Sequence, residues 1–442
     1  MPASPLDSAI YRDLFGDAEL ARLFTDSAEV RAMLLVEGAL AKVQGDLGLI
    51  PKTAAAFLHR ASHEVQVDPA ALAASTGKNA VPVPGLVAAT RTALQAPEHA
   101  AWLHYGATSQ DIAETGLVLR LRQAMAIMET RLTATIRHLG ALADAHADAP
   151  MMGRTYGQDA VPTTFGAVCA AWGAPLLRHR DRLAEMRPRL LTVSLSGAAG
   201  TLSSMGDKGP QVRAGLAKAL DLHDPGDSWH AQRDRTGEFA AWCGAVTASL
   251  GKMGADLILM AQSDRREVRL GASGGSSTMP QKENPVGPSV LVALARLSAA
   301  LEGAIRGAGV HAEQRDGAAW MTEWLTLPQL ALATGGALAL AQDLTGTMQP
   351  DPQAMRRPLH APPGLWAAEA LTFALSATMP RPQAEAAVKA LVAKALETGT
   401  PLAELAVQGH PGTDWHARLL PGAVLGEAPA IARRFAAAAQ KA

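Results

Sequence analysis

The feature that most restricts what this chain can fold into is an apolar seam between residues 239 and 260. Phe239, Trp242, Val246, Leu250, Met253, Leu257 and Met260 follow one another at spacings of three and four. That period places one continuous stripe on a helix of about six turns, facing other helices. Gly244, Gly251 and Gly254 interrupt the stripe. Each would weaken an isolated helix by up to about 1 kcal/mol relative to Ala, so their presence predicts close helix approach. A second seam runs Val290, Leu294, Leu297, Leu301 and Ile305, and a third proline-free stretch extends from near Asp111 to about Ala147. Long uninterrupted helices of this kind pack side by side as a bundle.

Composition agrees. Eight Trp, seven Phe and three Tyr among 442 residues leave Ala, Leu, Val and Met to fill the core. Ala and the unbranched residues among them favour helices, while sheets want β-branched and aromatic side chains, which are scarce here, so an all-β fold is excluded. Before the bundle, Val30, Met33, Leu34, Leu40, Val43 and Leu47 mark a helix over 26–48, with Asp26 and Glu29 as its N-terminal signal. After Met348, five prolines between 350 and 363 mark a boundary. The expectation is an all-α chain of three domains: a helical segment 1–105, a long-helix bundle 106–347 and a short helical segment 348–442.

Forty basic residues against 41 acidic ones leave a net charge of −1, which gives no general attraction for nucleic acid or an anionic membrane. Cys169 and Cys243 sit far apart among apolar neighbours, as buried free thiols do. The N-terminus carries no leader pattern, and the longest wholly apolar run, Phe165 to Leu177, is too short to span a bilayer. These readings predict a cytoplasmic protein without nucleic-acid or membrane partners. No His, Cys, Asp and Glu grouping has metal-ligand spacing, so neither a metal nor a cofactor is expected.

Three segments do not look like packing. Gly271–Pro285 holds glycines, serines, Thr278, Lys282 and Asn284 between two long apolar helices, where connections are usually short and plain. Such a loop can fold over an anion, with backbone N–H groups and hydroxyls around it and Lys282 as point charge. No Gly-Lys-Ser/Thr ends it, which rules out a P-loop. His104-Tyr-Gly-Ala-Thr-Ser-Gln-Asp111 opens a long helix, with Thr108 and Ser109 where free N–H groups would gather. Gly153–Phe165, carrying Arg154, Thr155 and Gln158, enters another apolar helix as a loop. Taken singly, the last two fit an ordinary cap and an ordinary interhelical loop as well as an anion site.

Together the three segments resemble the fumarase/aspartase superfamily of lyases, whose signature loop is matched by Gly275-Ser-Ser-Thr-Met-Pro-Gln-Lys-Glu-Asn-Pro285. The resemblance runs in order along nearly the whole chain. Within the superfamily, His104–Asp111, Trp229-His-Ala-Gln-Arg-Asp-Arg235 and Ala318–Pro328 are more similar to the lactonising cycloisomerases than to the adenylosuccinate lyases. Tyr156 stands where the lyases carry a catalytic histidine and the cycloisomerases an aromatic residue. Glu114 and Glu385 depart from an expected Asp and an expected His.

The resemblance implies a homotetramer with active sites shared between subunits, and a small tricarboxylate substrate. By position it implies Ser276 as the base or acid at carbon, with Lys282 and His104 beside it. It implies Thr108, Ser109, Gln110, Arg154, Thr155, Gln158, Arg233, Ser277, Met279 and Asn284 around the substrate. The missing histidine is intelligible chemically. An amine or hydroxide leaving group needs a general acid, but a lactone opens to a carboxylate, stable near neutral pH. Two other readings are an adenylosuccinate lyase-like or other superfamily lyase acting on a succinyl-type substrate, and a catalytically inactive structural or binding homologue.

Overall fold

The computed structural model describes residues 4–271, 274–275, 278–279 and 281–442. Its principal elements are α1 (Asp26–Asp46), α2 (Lys52–Glu64), α3 (Ser109–Ala145), β1 (Pro150–Thr155), β2 (Gln158–Thr164), α4 (Phe165–Leu190), α5 (Asp234–Met260), α6 (Val286–Ala308), α7 (Gly317–Thr347), α8 (Arg381–Thr398) and α9 (Ala428–Gln440). The fold is all-α. Among the described residues its strands are the β1–β2 hairpin and a two-residue pairing of Val268–Arg269 with Gln349–Pro350.

Contacts divide the chain into two compact units. The first comprises Met1–Arg131, His179–Ala248 and Ala293–Ala339; the second comprises Leu132–Arg178, Ser249–Val292 and Leu340–Ala442. Each of the five long helices, α3 to α7, contributes residues to both.

In the first unit, α1 begins one residue earlier than its sequence signal suggests. Thr25, not Asp26, is the N-cap, its hydroxyl oxygen accepting from the amide of Ala28 at 3.2 Å. Phe239, Trp242 and Val246 are fully enclosed, and a Cβ added at Gly244 would lie 2.0 Å from Glu302 Oε2. The close approach expected of that glycine is therefore real.

In the second unit, Leu250, Met253, Leu257 and Met260 continue the α5 seam and are buried. A Cβ at Gly254 would meet the Pro288 carbonyl oxygen at 2.6 Å. The Ala-rich end of the chain forms α9, which buries Ala432, Phe435, Ala436 and Ala439. Its small residues let it lie against glycines: a Cβ at Gly140 would come 2.5 Å from Ala439 Cβ, and one at Gly173 would come 2.0 Å from Phe435 Cζ. A cluster around Leu371, Val388, Leu402 and Trp415 forms the remaining core of this unit.

One expectation needs correction. By length and composition, α5, α6 and α7 are each apolar enough to cross a membrane. Counting only unbroken apolar runs misses them, because scattered polar residues still leave a mean hydropathy of 1.2 to 1.4. Within the protein, 56% of the α5 window and 67% of the α7 window are buried, against 33% for α6. Packing accounts for the apolar character of α5 and α7, whereas α6 keeps an apolar face outside, including Val286 and Leu297.

Candidate active site

The first unit holds the turn His104–Asp111 at the start of α3. His104 and Gly106 both have positive φ, 65° and 73°, and a Cβ at Gly106 would press on Met205 Cγ at 2.9 Å. Only glycine fits there without displacement. The turn is pinned by Asp111, whose side chain is fully buried. Its carboxylate accepts the amides of Thr108 at 2.9 Å, Ser196 at 2.8 Å and Gly197 at 3.0 Å, and lies 2.8 Å from His230 Nε2. One carboxylate thus ties three chain segments to the first turn of a long helix. Thr108 and Ser109 remain half-buried beside it.

His104 is held by Glu37 on α1, with Nδ1 2.6 Å from Oε1. Burial works against the charged imidazole, but the hydrogen bond and charge of Glu37, with Asp111 nearby, leave its pKa above the ordinary value. Glu37 itself is buried, so the pair fixes the ring's orientation.

Two residues expected at the substrate, Arg233 and Gln110, are buried. Arg233 is buried, its Nε and two terminal nitrogens bonded to Glu323 and Glu114, and its guanidinium 5.2 Å from the Trp229 ring centre. Burial opposes its charge, but the two carboxylates more than restore it. Glu114 moves the other way: burial and the like charge of Glu323 raise its pKa despite Arg233. Gln110 is also enclosed, donating to Glu114 and the His230 carbonyl, both at 3.1 Å, and accepting from Arg315 Nε at 2.7 Å. Arg233 and Gln110 thus find hydrogen-bond partners within the protein. Motif membership alone does not reveal these partners, Glu114 and Glu323 among them.

The second unit carries the other two segments. Gly153–Phe165 is not a plain loop: β1 and β2 pair antiparallel, Arg154 opposite Asp159 and Thr155 opposite Gln158. Tyr156 and Gly157, with φ of 51° and 75°, form the two-residue connection that suits strand twist. Arg154 Nε donates to Asp159 at 3.0 Å, and its terminal nitrogens reach the buried Glu267 at 2.9 and 3.2 Å. Those carboxylates outweigh burial and keep its pKa high. Thr155, Tyr156 and Gln158 project into solvent, Tyr156 completely. Arg154 and Gln158 border a polar cavity of about 350 Å³ with Arg265 and Arg357.

The signature loop is closed by a reciprocal pair of backbone bonds, Gly274 N to Asn284 O at 3.1 Å and Asn284 N to Gly274 O at 2.8 Å. Lys282 is exposed, its amide donating to the Met279 carbonyl at 3.0 Å, and Asn284 is half-buried. Met279 is 43% exposed. Ser276 and Ser277 lie outside the described residues.

Asp111, His230, Glu37, Glu323, Glu267 and Asp159 escaped sequence reasoning. Two had visible signals: Asp111 follows Thr108 at capping-box spacing, and Arg154 and Asp159 flank a Tyr-Gly pair inside a short run. Among the described residues, no three His, Cys, Asp or Glu side chains are grouped to hold a metal.

Comparison with known proteins gives a consistent result. A lyase family model matches residues 11–297. The 3-carboxy-cis,cis-muconate cycloisomerase of Pseudomonas aeruginosa is 40% identical over 405 residues, 90% of this chain and 87% of that protein. The Pseudomonas putida enzyme of the same name is 38% identical, covering 86% of this chain and 91% of the relative. The crystal structure of 3-carboxy-cis,cis-muconate lactonizing enzyme from Pseudomonas putida superposes with a TM-score of 0.92 at 34% identity, covering 98% and 99% of the two chains. With the signature loop, the helical fold and these likenesses in agreement, the chain belongs to the lyase family of the fumarase/aspartase superfamily.

Proposed function

We propose that this protein is a cycloisomerase that converts 3-carboxy-cis,cis-muconate to 4-carboxymuconolactone in protocatechuate degradation. The observation that carries the reading is the 40% identity to the Pseudomonas aeruginosa enzyme over nine-tenths of the chain. In the cyclising direction a substrate carboxylate oxygen attacks the alkene carbon, forming the ring C–O bond. Electron density moves onto the carbon next to a second carboxylate, and Ser276 delivers a proton there. In reverse, the Ser276 alkoxide removes that proton and the ring carboxylate leaves. Lys282, the loop N–H groups and the helix end at Thr108 and Ser109 lower the cost of the alkoxide. No acid is required at the departing oxygen, which is why Tyr156 suffices where related lyases use histidine.

Substrate carboxylates are assigned to Lys282, Asn284, Thr108, Ser109 and Arg154, with Thr155, Gln158, Ser277 and Met279 lining the site. Arg154 donates hydrogen bonds from two of its five N–H groups, to Asp159 and Glu267, and its remaining N–H groups can serve a ligand. The working form is a cytoplasmic homotetramer in which three subunits supply the three segments. Supporting that assembly, Tyr156 stands fully exposed at a hairpin tip, and α6 keeps Val286 and Leu297 outside. Sedimentation of an active monomer at micromolar concentration would refute it. Incubation with 3-carboxy-cis,cis-muconate separates this reading from an inactive homologue, and incubation with adenylosuccinate separates it from that lyase.

A further inference from the structure

A cavity of about 550 Å³ lies within the first unit, formed by α1, α3, α7 and the segment around Leu72. None of the residues assigned to the substrate lines it. Its walls are largely apolar, with Phe24, Met33, Leu117, Trp320 and Trp324 prominent, the two indoles meeting edge to face at 4.6 Å. The volume is that of a small-molecule site.

One cation in the wall lacks what a buried cation needs. Arg120 is only 8% exposed, yet its Nε has no hydrogen-bond partner. Its nearest carboxylate, Glu29, approaches a terminal nitrogen only to 3.6 Å, beyond ordinary hydrogen-bond length, and is itself 40% exposed. The guanidinium otherwise faces the Phe24 ring at 5.9 Å. The buried carboxylates of the same wall are in the opposite condition, since Glu114 and Glu323 are bonded on both oxygens. Asp26 and Glu29, at the start of α1, reach solvent. The unmet demand in this cavity is for an acceptor, not for a cation.

We infer that this cavity is a binding site, separate from the catalytic segments, for a small aromatic monocarboxylate. The carboxylate would meet Arg120 and the ring would lie against Trp320, Trp324 and Phe24. An anion at Arg120 gains a charge-assisted hydrogen bond that no protein group supplies.

Phenylacetate is the probe, with phenethylamine as its cationic counterpart, and titration calorimetry on the full-length protein is the readout. Saturable binding of phenylacetate is expected, weakened at least about tenfold by Arg120→Met, which keeps the aliphatic stem and removes the donors. Ala73→Trp fills the cavity from its exposed rim and should abolish binding without disturbing the core. This second variant decides the matter if Arg120→Met fails to fold. Lys282→Ala should bind phenylacetate as the unaltered protein does. The inference is overturned by absent saturable binding at millimolar concentration or by tighter binding of phenethylamine. It is equally overturned by binding that survives Ala73→Trp or that disappears in Lys282→Ala, which would move the anion to the signature loop.

Discussion

Replacing Asp111 with Asn tests how the first half of the site is built. The carboxylate serves four donors at 2.8–3.0 Å: three backbone amides and His230 Nε2. An asparagine oxygen can accept from two of them, while its NH₂ faces the other two donor to donor. Hydrogen bonds to a charged group are worth about 1.5–3 kcal/mol each, so two losses amount to about 3–6 kcal/mol. A change of His230 tautomer could recover one, since its Nδ1 is buried without a partner. Global unfolding of a chain this large does not give a single stability, so the local opening is the quantity to follow. Amide hydrogen exchange at Ser196 and Gly197 should accelerate by about 10²- to 10⁴-fold in Asp111→Asn, with lactonisation falling in parallel as the Thr108–Ser109 turn loosens. Acceleration of less than about fivefold would mean that the four bonds do not hold the turn, and the positioning argument would fail.

Ser276→Ala should lower turnover by at least about three orders of magnitude while leaving the fold intact, and Ser277→Ala should do less; steady-state rates decide, and the reverse ranking means the wrong serine was chosen. Tyr156→Phe should leave turnover within about tenfold, below the roughly 10²–10⁴ of a general acid, and a variant that binds substrate but is dead would withdraw the leaving-group argument. Because Glu37 raises the His104 pKa, the ion pair's stabilisation is complete below the unfolded value of about 6.5 and is lost as pH rises through the folded value. The local stability gap between the unaltered protein and His104→Gln should therefore shrink from acidic to alkaline pH, as amide exchange along the His104–Asp111 turn would show; a gap that widens with pH contradicts the assignment.

The long helices were readable because a period of 3.6 over many turns leaves little choice of secondary structure. The α5 seam extends from Phe239 to Met260 as its spacing requires, every member buried. The hairpin at Gly153–Phe165 was harder, because Pro162 and two threonines next to Phe165 look like a helix entry. Its clue was the positive-φ pair Tyr156–Gly157, which a sequence shows only as one glycine after a tyrosine. Thr25 was missed as the α1 cap because Asp26 and Glu29 form a better-looking pair. The division of labour among arginines was not readable at all. Arg233, Arg154 and Arg120 are alike in the sequence, and the neighbours that separate them are distant in it: Glu323 lies 90 residues from Arg233 and Glu267 113 from Arg154, while the cavity at Arg120 is walled by several segments.

Lactonisation of one tricarboxylate is the defining reaction, and a single assay reaches it. Purified protein incubated with 3-carboxy-cis,cis-muconate should remove the diene absorbance catalytically, with 4-carboxymuconolactone as product and no loss of signal in Ser276→Ala. Unchanged absorbance with folded, tetrameric protein, or equal turnover by Ser276→Ala, would contradict it.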